Sequence, residues 1–381
     1  MIKTLVSRRL RLKPTKEQEV WLNAQAGVAR FIYNWSLNYK IEQYKNFGIS
    51  VGQKEVMREI TDMKYTDEFS WLQEYSSETI KQAVKDMLCA YKSFFQRGCR
   101  GYPKFKKKGR CKESFYARYD RLYSYDDKHL VIPSLKTKMK VSESCVITKG
   151  SIKNPRVSFD GKYWCLSYSY EVEPLSEKLT NEVIGIDLGI KDLAVCSNGV
   201  SYRNINKDLN VQKLEMRKRR LQRKLSRMYE KNKQCNKFIK TNNIRRLEHK
   251  IRLIDRKLSN IRKTYIHTVT MQIVKTKPSC IVLEDLNIQG MLKNKYLAKS
   301  IQGQLWYFFR QCIEYKSQFY GGIEVMIAKR NYPSSKKCSN CGHIKKFLSL
   351  SDRTYICHKC GFKIDRDLNA SYNLRNLAFS L

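Results

Sequence analysis

The chain has 381 residues, enough for two or three domains, and its 42% hydrophobic content supports packed cores and excludes global disorder. Its 75 Lys and Arg stand against 35 Asp and Glu, a formal net charge of +40; such a surface would repel itself strongly without a polyanionic partner, and nucleic acid is the partner expected. No run approaches the roughly 18 apolar residues of a membrane span, so no membrane partner is expected. The N-terminus also lacks an apolar secretory core, so the 13 cysteines are read as thiols or metal ligands in a reducing cytosol.

In chain order, "KTLVSRRLRL" (3–12) reads as a short basic strand, and Pro14-Thr15 opens a helical region. Over 17–44 the apolar residues Val20, Leu22, Ala26, Phe31, Tyr33 and Leu37 are only loosely helical in spacing. A clearer helix spans 76–95, with Ser76 or Ser77 as N-cap and a face of Ile80, Val84, Met87, Leu88, Tyr91 and Phe95; Gly98, Gly101 and Pro103 end it. "KFKKKGR" (104–110) is a basic loop, with Lys104, Lys106, Lys107 and Lys108 as candidate nucleic-acid contacts. From about 114 the residues alternate apolar and polar through "HLVIPSL", "KMKVS", "SCVITKGS" and "PRVSFDGKYWCLSYSYEVE", with a hairpin signal at Asp160-Gly161. This predicts a small β-barrel or sandwich ending near Pro174.

A linker, "LSEKLTNE" (175–182), leads to "VIGIDLGIKDLAVCSNG", two short strands around a turn at Leu188–Lys191. Residues 207–263 then carry 21 Lys or Arg against 5 Asp or Glu. Leu214, Leu221, Leu225 and Met228 form one apolar seam, and Leu247, Ile251, Ile254, Leu258 and Ile261 form another. They predict a helical hairpin whose other faces, including Arg217, Arg220 and Arg223, are positive and suited to nucleic acid. An apolar strand, "SCIVLEDLN" (279–287), a helix near 298–320 and a strand, "IEVMIAK", follow. The chain closes with a cysteine segment, a final helix from Asp367 and a short tail; no internal repeat is present.

Cys338, Cys341, Cys357 and Cys360 have the spacing C-x2-C-x15-C-x2-C, and Gly342 and Gly361 follow the two pairs where the chain must turn sharply. Four thiolates suit zinc and close a tetrahedral site with no open position, so this zinc is expected to be structural. The other nine cysteines, Cys89 and Cys165 among them, are read as small buried hydrophobes.

Three acids stand at the ends of apolar elements: Asp187 ends "VIGID", Glu284 ends "CIVLE" and Asp367 starts the last helix. A carboxylate at the end of a buried strand is costly unless paired or bound to metal. Alternation turns Asp285 away from Glu284, and Asp367, Ala370, Ser371 and Leu374 share a helix face whose small residues allow close approach to a sheet. Carboxylates without clustered His favour Mg²⁺ or Mn²⁺, and two such ions hydrolyse phosphodiesters by in-line displacement. "GIDLG" also occurs in sugar-kinase-like ATPases, but neither a second phosphate loop nor a glycine-rich adenosine motif is present, and no P-loop or GxSxG is found.

"GIDLGIKDLAV", "IVLEDLNIQGM", "PSSKKCSNCG" and "CxxCG…DRDLNAS", in this order, resemble the TnpB family of insertion-sequence nucleases, relatives of type V CRISPR effectors. "RLKPTKEQ", "FIYNWSL" and "YPKFKKKGR" resemble its N-terminal half. The resemblance implies an α/β multidomain protein. Its parts would be a β-barrel wedge domain (1–14 and 113–178) interrupted by a helical recognition domain (15–112), and an RNase H-like RuvC nuclease domain (179–331 and 362–381) with an inserted zinc ribbon (332–361). It implies Asp187, Glu284 and Asp367 as the catalytic triad, Asp367 rather than Asp365 because it precedes Asn369 by two.

The function implied is an RNA-guided DNA endonuclease dependent on Mg²⁺ or Mn²⁺, nucleoid-associated in a prokaryotic cytoplasm. Its partners would be a guide RNA encoded by the element and a double-stranded DNA target with a short flanking motif. Two alternatives stand beside it: a guided DNA-binding repressor that does not cut, and an unguided transposase or resolvase-type nuclease.

Overall fold

A computed structural model of the protein describes residues 4–96, 101–175, 178–234, 237–349 and 352–379. Lys3 of the first predicted strand, Gly98 of the expected helix stop, Ser176 and Glu177 of the linker, and Cys235 and Asn236 of the hairpin tip lie outside the described residues. The chain divides into two compact units, Leu5–Val172 and Glu173–Leu381, the second taking in residues 1–4.

The first unit begins with strand β1 (Thr4–Arg11) and helix α1 (Lys16–Phe47). Thr15 caps α1 in a reciprocal box with Gln18, and Gly48 closes it at φ 68°, a left-handed conformation that glycine adopts without strain. Helices α2 (Gln53–Met63) and α3 (Ser77–Phe95) follow, then short strands β2 (Ser114–Tyr116), β3 (Tyr123–Ser124), β4 (His129–Val131) and β5 (Met139–Lys140), and a long hairpin of β6 (Ile152–Phe159) and β7 (Trp164–Val172). The strands form two sheets, β1-β7-β6-β2 and β3-β4-β5, so the N-terminal strand pairs with the last strand of the unit. Leu10, Leu12, Leu130, Val157, Trp164 and Leu166 fill the core of the strands, and Ile32, Val56, Ile60, Ile80 and Val84 fill that of the helices.

Four expectations change here. Residues 16–47 form one 32-residue helix despite the loose spacing, because α1 serves three clusters: Leu22 and Ala26 pack on the strands, Val28 and Ile32 on α2 and α3, and Tyr33 and Leu37 on a third group. A helix buried on several sides has no single stripe to read. Phe95, assigned to the face of the 76–95 helix, is exposed, as are Val20 of the loosely spaced set and Cys89, expected to be buried. The segment "SCVITKGS" forms no strand; Ser124 instead binds Ile147 through both its backbone N–H and its hydroxyl. Helix α2, which the sequence reading passed over, carries Val56, Ile60 and Met63 inward at helical spacing.

The second unit is built on a five-stranded sheet. Strands β8 (Val183–Leu188), β9 (Asp192–Cys196) and β10 (Ser201–Arg203) form an antiparallel meander. Helix α4 (Leu209–Lys231), a small hairpin of β11 (Lys233–Gln234) and β12 (Lys237–Phe238), and helix α5 (Asn242–Lys275) come next. Strand β13 (Cys280–Glu284), helices α6 (Ile288–Met291), α7 (Ala298–Gln304) and α8 (Trp306–Phe319), and strand β14 (Glu324–Ala328) lead to the short pair β15 (Thr354–Ile356) and β16 (Lys363–Asp365) and the last helix, α9 (Arg366–Leu377). The sheet order is β10-β9-β8-β13-β14, with β8, β13 and β14 parallel. The helix expected near 298–320 is two, broken at Leu305, which takes a left-handed φ of 54°.

Alternation assigns the two faces of this sheet. Ile184 and Ile186 of β8 and Ile281 and Leu283 of β13 pack against α5 and α8 through Ile266, Ile273, Phe309 and Ile313. Cys280 and Val282 pack on the other face with Leu374 of α9. Asp187 and Glu284 belong by the same alternation to the α9 face. Helices α4 and α5 pack along Val211, Leu214, Leu221, Ile254, Leu258 and Ile261. Beyond that seam, α5 continues into the sheet core, which ties the basic hairpin to the acid-bearing unit.

Candidate active site and metal centre

The two strand acids sit side by side because β8 and β13 run parallel in register, Ile186 opposite Leu283, which leaves Asp187 and Glu284 at the same edge. The third acid comes from α9, which lies on β8 at backbone contact. A Cβ at Gly185 would fall 2.1 Å from the Ser371 carbonyl oxygen and 2.4 Å from the Arg375 nitrogen. Ser197 holds that stretch of β8 from the far side, its hydroxyl accepting from Gly185 N–H (3.0 Å) and its N–H donating to the Gly185 carbonyl (2.9 Å). Ala370, Ser371 and Leu374, the predicted face of α9, are fully buried.

The two aspartates of "DRD" have separate tasks. The Asp365 carboxylate accepts from the N–H groups of Asp367 (2.9 Å) and Leu368 (3.2 Å), so it caps α9. Asp367, one residue into the helix, is left free to face the strand acids. Between them, Arg366 donates to the Ser349 carbonyl (2.9 Å). Asp285 points away, as alternation requires, and pairs with Arg330 (2.9 Å).

The three carboxyls influence one another's ionisation, although their oxygens do not all lie within 4.8 Å of one another. Burial raises Asp187 well above the ordinary carboxylate range, and the charges of Glu284 and Asp367 raise it further. Burial lifts Glu284 to about 7, with Asp367 adding to the rise against a hydrogen bond from Leu188 N–H. Asp367 is raised by burial and by Asp365, while Arg353, Arg366 and Lys191 pull it down. Three mutually repelling carboxyls, with cations only at their rim, fit a site completed by a divalent cation: the donors are all hard oxygens, suited to Mg²⁺ or Mn²⁺. The turn after Asp187 is fixed from behind, since Asn204 (2.7 Å) and Gln304 (3.2 Å) both donate to the Ile190 carbonyl and Lys207 donates to that of Lys191 (2.8 Å).

The four predicted cysteines come together, their sulfurs within 4.8 Å of one another, the one such group found among the described residues. Sulfur separations are 3.8 Å for Cys338–Cys360 and 3.5 Å for Cys341–Cys357. A zinc tetrahedron with Zn–S of about 2.3 Å has edges of about 3.8 Å, so the donor set fits. Gly342 and Gly361 donate to the carbonyls of Cys338 (2.9 Å) and Cys357 (3.0 Å) at φ 75° and 72°, forming two knuckles. Tyr355 is fully buried beneath them.

Of the predicted nucleic-acid contacts, Arg217, Arg220 and Arg223 are exposed on α4, and Lys104, Lys107 and Lys108 are exposed in their loop. Lys106 differs. Its ammonium lies 3.7 Å from the centre of the Tyr33 ring, and its backbone is held by Asn34 (2.9 and 2.7 Å). Two residues that build the site escaped the sequence reading, Gly185 and Asn373, and Asn369 entered it only as the family marker for Asp367. Gly185 is visible only as a glycine inside an apolar strand, a known mark of close backbone approach. The burial of the two asparagines gave no signal.

Three family patterns match the chain: "Helix-turn-helix domain" over residues 1–48, "Probable transposase" over 167–295, and "Cas12f1-like, TNB domain" over 306–374. The first of these regions folds, among its described residues, as strand β1 and the single helix α1. "Putative RNA-guided DNA endonuclease InsQ" of Escherichia coli (strain K12) is 29% identical, over 98% of this chain and 92% of that protein. "Putative RNA-guided DNA endonuclease" of Streptomyces pristinaespiralis is 27% identical, over 96% of this chain and 87% of that protein. The protein in "Cryo-EM structure of the Cas12f1-sgRNA-target DNA complex" shares the fold, with a TM-score of 0.60 over 95% of this chain and 83% of that one at 18% identity.

Proposed function

We propose that the chain, which matches OrfB/IS605-type patterns over residues 1–48 and 167–295, is an RNA-guided DNA endonuclease of an insertion sequence, cutting at Asp187, Glu284 and Asp367. The observation that carries this reading is the meeting of three carboxyls from β8, β13 and α9 at one edge of a sheet, each held above its ordinary range by burial and by its neighbours. We read the five-stranded sheet as the RNase H-like core of a RuvC domain, and the cysteine segment as a zinc ribbon inserted before its last helix. The strand-built part of Leu5–Val172 is read as the wedge domain, with α1 to α3 as the recognition domain.

The three acids would hold Mg²⁺ or Mn²⁺, which supplies an activated water and neutralises the leaving oxygen of a phosphodiester. Asp187 and Glu284 supply rigid oxygens from strand ends, and Asp367 supplies one from a capped helix start. Lys191 and Arg353 lie close enough to lower Asp367, so they would also attract the phosphate charge that this edge must receive. Arg217, Arg220 and Arg223 would hold nucleic acid by its phosphates, which carry no sequence. Choice of target therefore rests on pairing with a guide RNA, and binding by the protein alone should fall steeply with salt, by about 0.9 in log K per phosphate contact on duplex DNA.

The test is cleavage of matched and scrambled plasmids in Mg²⁺, with and without the copurifying RNA, by wild type and by Asp187→Ala, Glu284→Ala and Asp367→Ala. Matched cutting that requires the RNA and all three acids is expected, with nucleic-acid binding retained by the variants. Site-specific cutting by RNA-free protein would reject guidance, and full cutting by any of the three variants would reject the acid site.

A further inference from the structure

Asn369 and Asn373 are one turn apart on α9 and nearly or wholly inaccessible to water. A buried amide is costly unless its donors and acceptor are engaged. Both are engaged by the chain around the first cysteine knuckle. Asn369 donates to the Lys337 carbonyl (2.8 Å) and accepts from Ser339 N–H (3.0 Å), so it brackets Cys338 from both sides. Asn373 donates to the carbonyls of Lys337 (2.6 Å) and Ser334 (2.8 Å), and the Tyr332 hydroxyl donates to the Asn373 carbonyl (2.9 Å).

The partners of the two side-chain amides are all backbone groups, so these side chains recognise the conformation of residues 334–339 rather than their identity. A metal shared by its cysteines would hold the knuckle in that conformation. On another face of the same helix, Ala370, Ser371 and Leu374 seat α9 on β8 and present Asp367 to Asp187 and Glu284. Only one residue separates Asp367 from Asn369.

We propose that Asn369 and Asn373 are positioning residues that latch the first knuckle to the helix bearing Asp367, so that zinc binding at the cysteines and divalent-metal binding at the acids are energetically linked. The inference rests on the reading of Asp187, Glu284 and Asp367 as metal ligands. Residues that merely stabilise the fold would lower the melting temperature without making one metal site respond to the other. Linkage is reciprocal: if zinc favours Mg²⁺ at the acids, Mg²⁺ must retain zinc by the same factor.

The experiment measures the equilibrium partition of zinc between the full chain, with its copurifying RNA, and a zinc-selective chromophoric chelator, with and without Mg²⁺. A parallel arm measures Mn²⁺ binding by electron paramagnetic resonance. In wild type, Mg²⁺ is expected to raise zinc affinity about 10-fold. In Asn369→Ala and Asn373→Asp, one zinc per chain is expected to remain, the Mg²⁺ effect to vanish, and the Mn²⁺ concentration for half-saturation to rise about 10-fold. A zinc affinity that ignores Mg²⁺ in wild type overturns the linkage with no variant required. Wild-type Mn²⁺ affinity in both asparagine variants overturns the assignment of the latch. Asp367→Ala separates the premise from the proposal: if it binds Mn²⁺ as wild type does, the acid site itself is wrong.

Discussion

Gly185 lacks a side chain because α9 occupies the space one would need, and that single vacancy brings Asp367 within reach of the strand acids. Gly185→Ala would place a methyl at 2.1 Å from backbone that cannot move aside like a flexible side chain. We expect it to lower cleavage at least 100-fold while zinc content stays at one per chain; matched cleavage rates and elemental analysis check this. Glu284 gives a second prediction, with a sign. Its carboxyl is raised from the ordinary value to about 7, so its ionisation works against the fold. In metal-free protein, the stability it contributes is complete below the unfolded value and is lost as pH climbs through the folded one. Glu284→Gln should therefore match wild type near pH 4 in EDTA and melt higher at pH 8, by about 5–10 °C on the scale of a few degrees per kcal/mol for a unit of this size. It should also fail to cut. A melting difference that does not grow with pH would reject this account.

Elements differ in how plainly they can be read before the fold is known, and the cause is the number of neighbours each one has. Strands β8 and β13 are legible because each is a run of apolar residues ended by an acid, and the ribbon is legible because two knuckles repeat one spacing. Helix α1 is poorly legible because three clusters draw on it from different sides. Resemblance alone separates Asp365 from Asp367 before the fold is known; the physical distinction needs the start of α9, since the cap is defined by the N–H groups it receives. The burial of Asn369 and Asn373 is illegible for a related reason: a polar residue gives no sign of burial when its partners are backbone 30 or more positions away. Helix α4 carries a prediction of its own. Its seam residues face α5, and Arg217, Arg220 and Arg223 stand exposed on other faces. Replacing all three by Ala should leave the melting temperature within a few degrees. If all three contact duplex phosphates, it should also reduce the salt slope of nucleic-acid binding by up to about 2.7 in log K per log salt. An unchanged slope in a salt titration would remove α4 from the binding surface. For the ribbon, Cys357→Ser should release zinc and loosen residues 338–361, because a structural zinc contributes folding free energy directly; elemental analysis and limited proteolysis within that segment read the two effects.

At the scale of the molecule, charge and topology act on different partners. The +40 balance gives general attraction to polyanions, and among the described residues no helix is long and apolar enough to cross a membrane. The topology governs when the site exists. Asp187 and Asp367 are 180 positions apart in the chain, and the groove over Gly185 stays open until α9 has been made. At synthesis rates of about 5–20 residues per second, roughly 10–40 s pass between the translation of the first acid and that of the third. During that interval the growing chain already displays its basic hairpin and can gather nucleic acid, but it has no complete set of acids with which to cut. On the proposed acid site, competence waits for α9, so a chain released before Asp367 is expected to bind nucleic acid without cutting it.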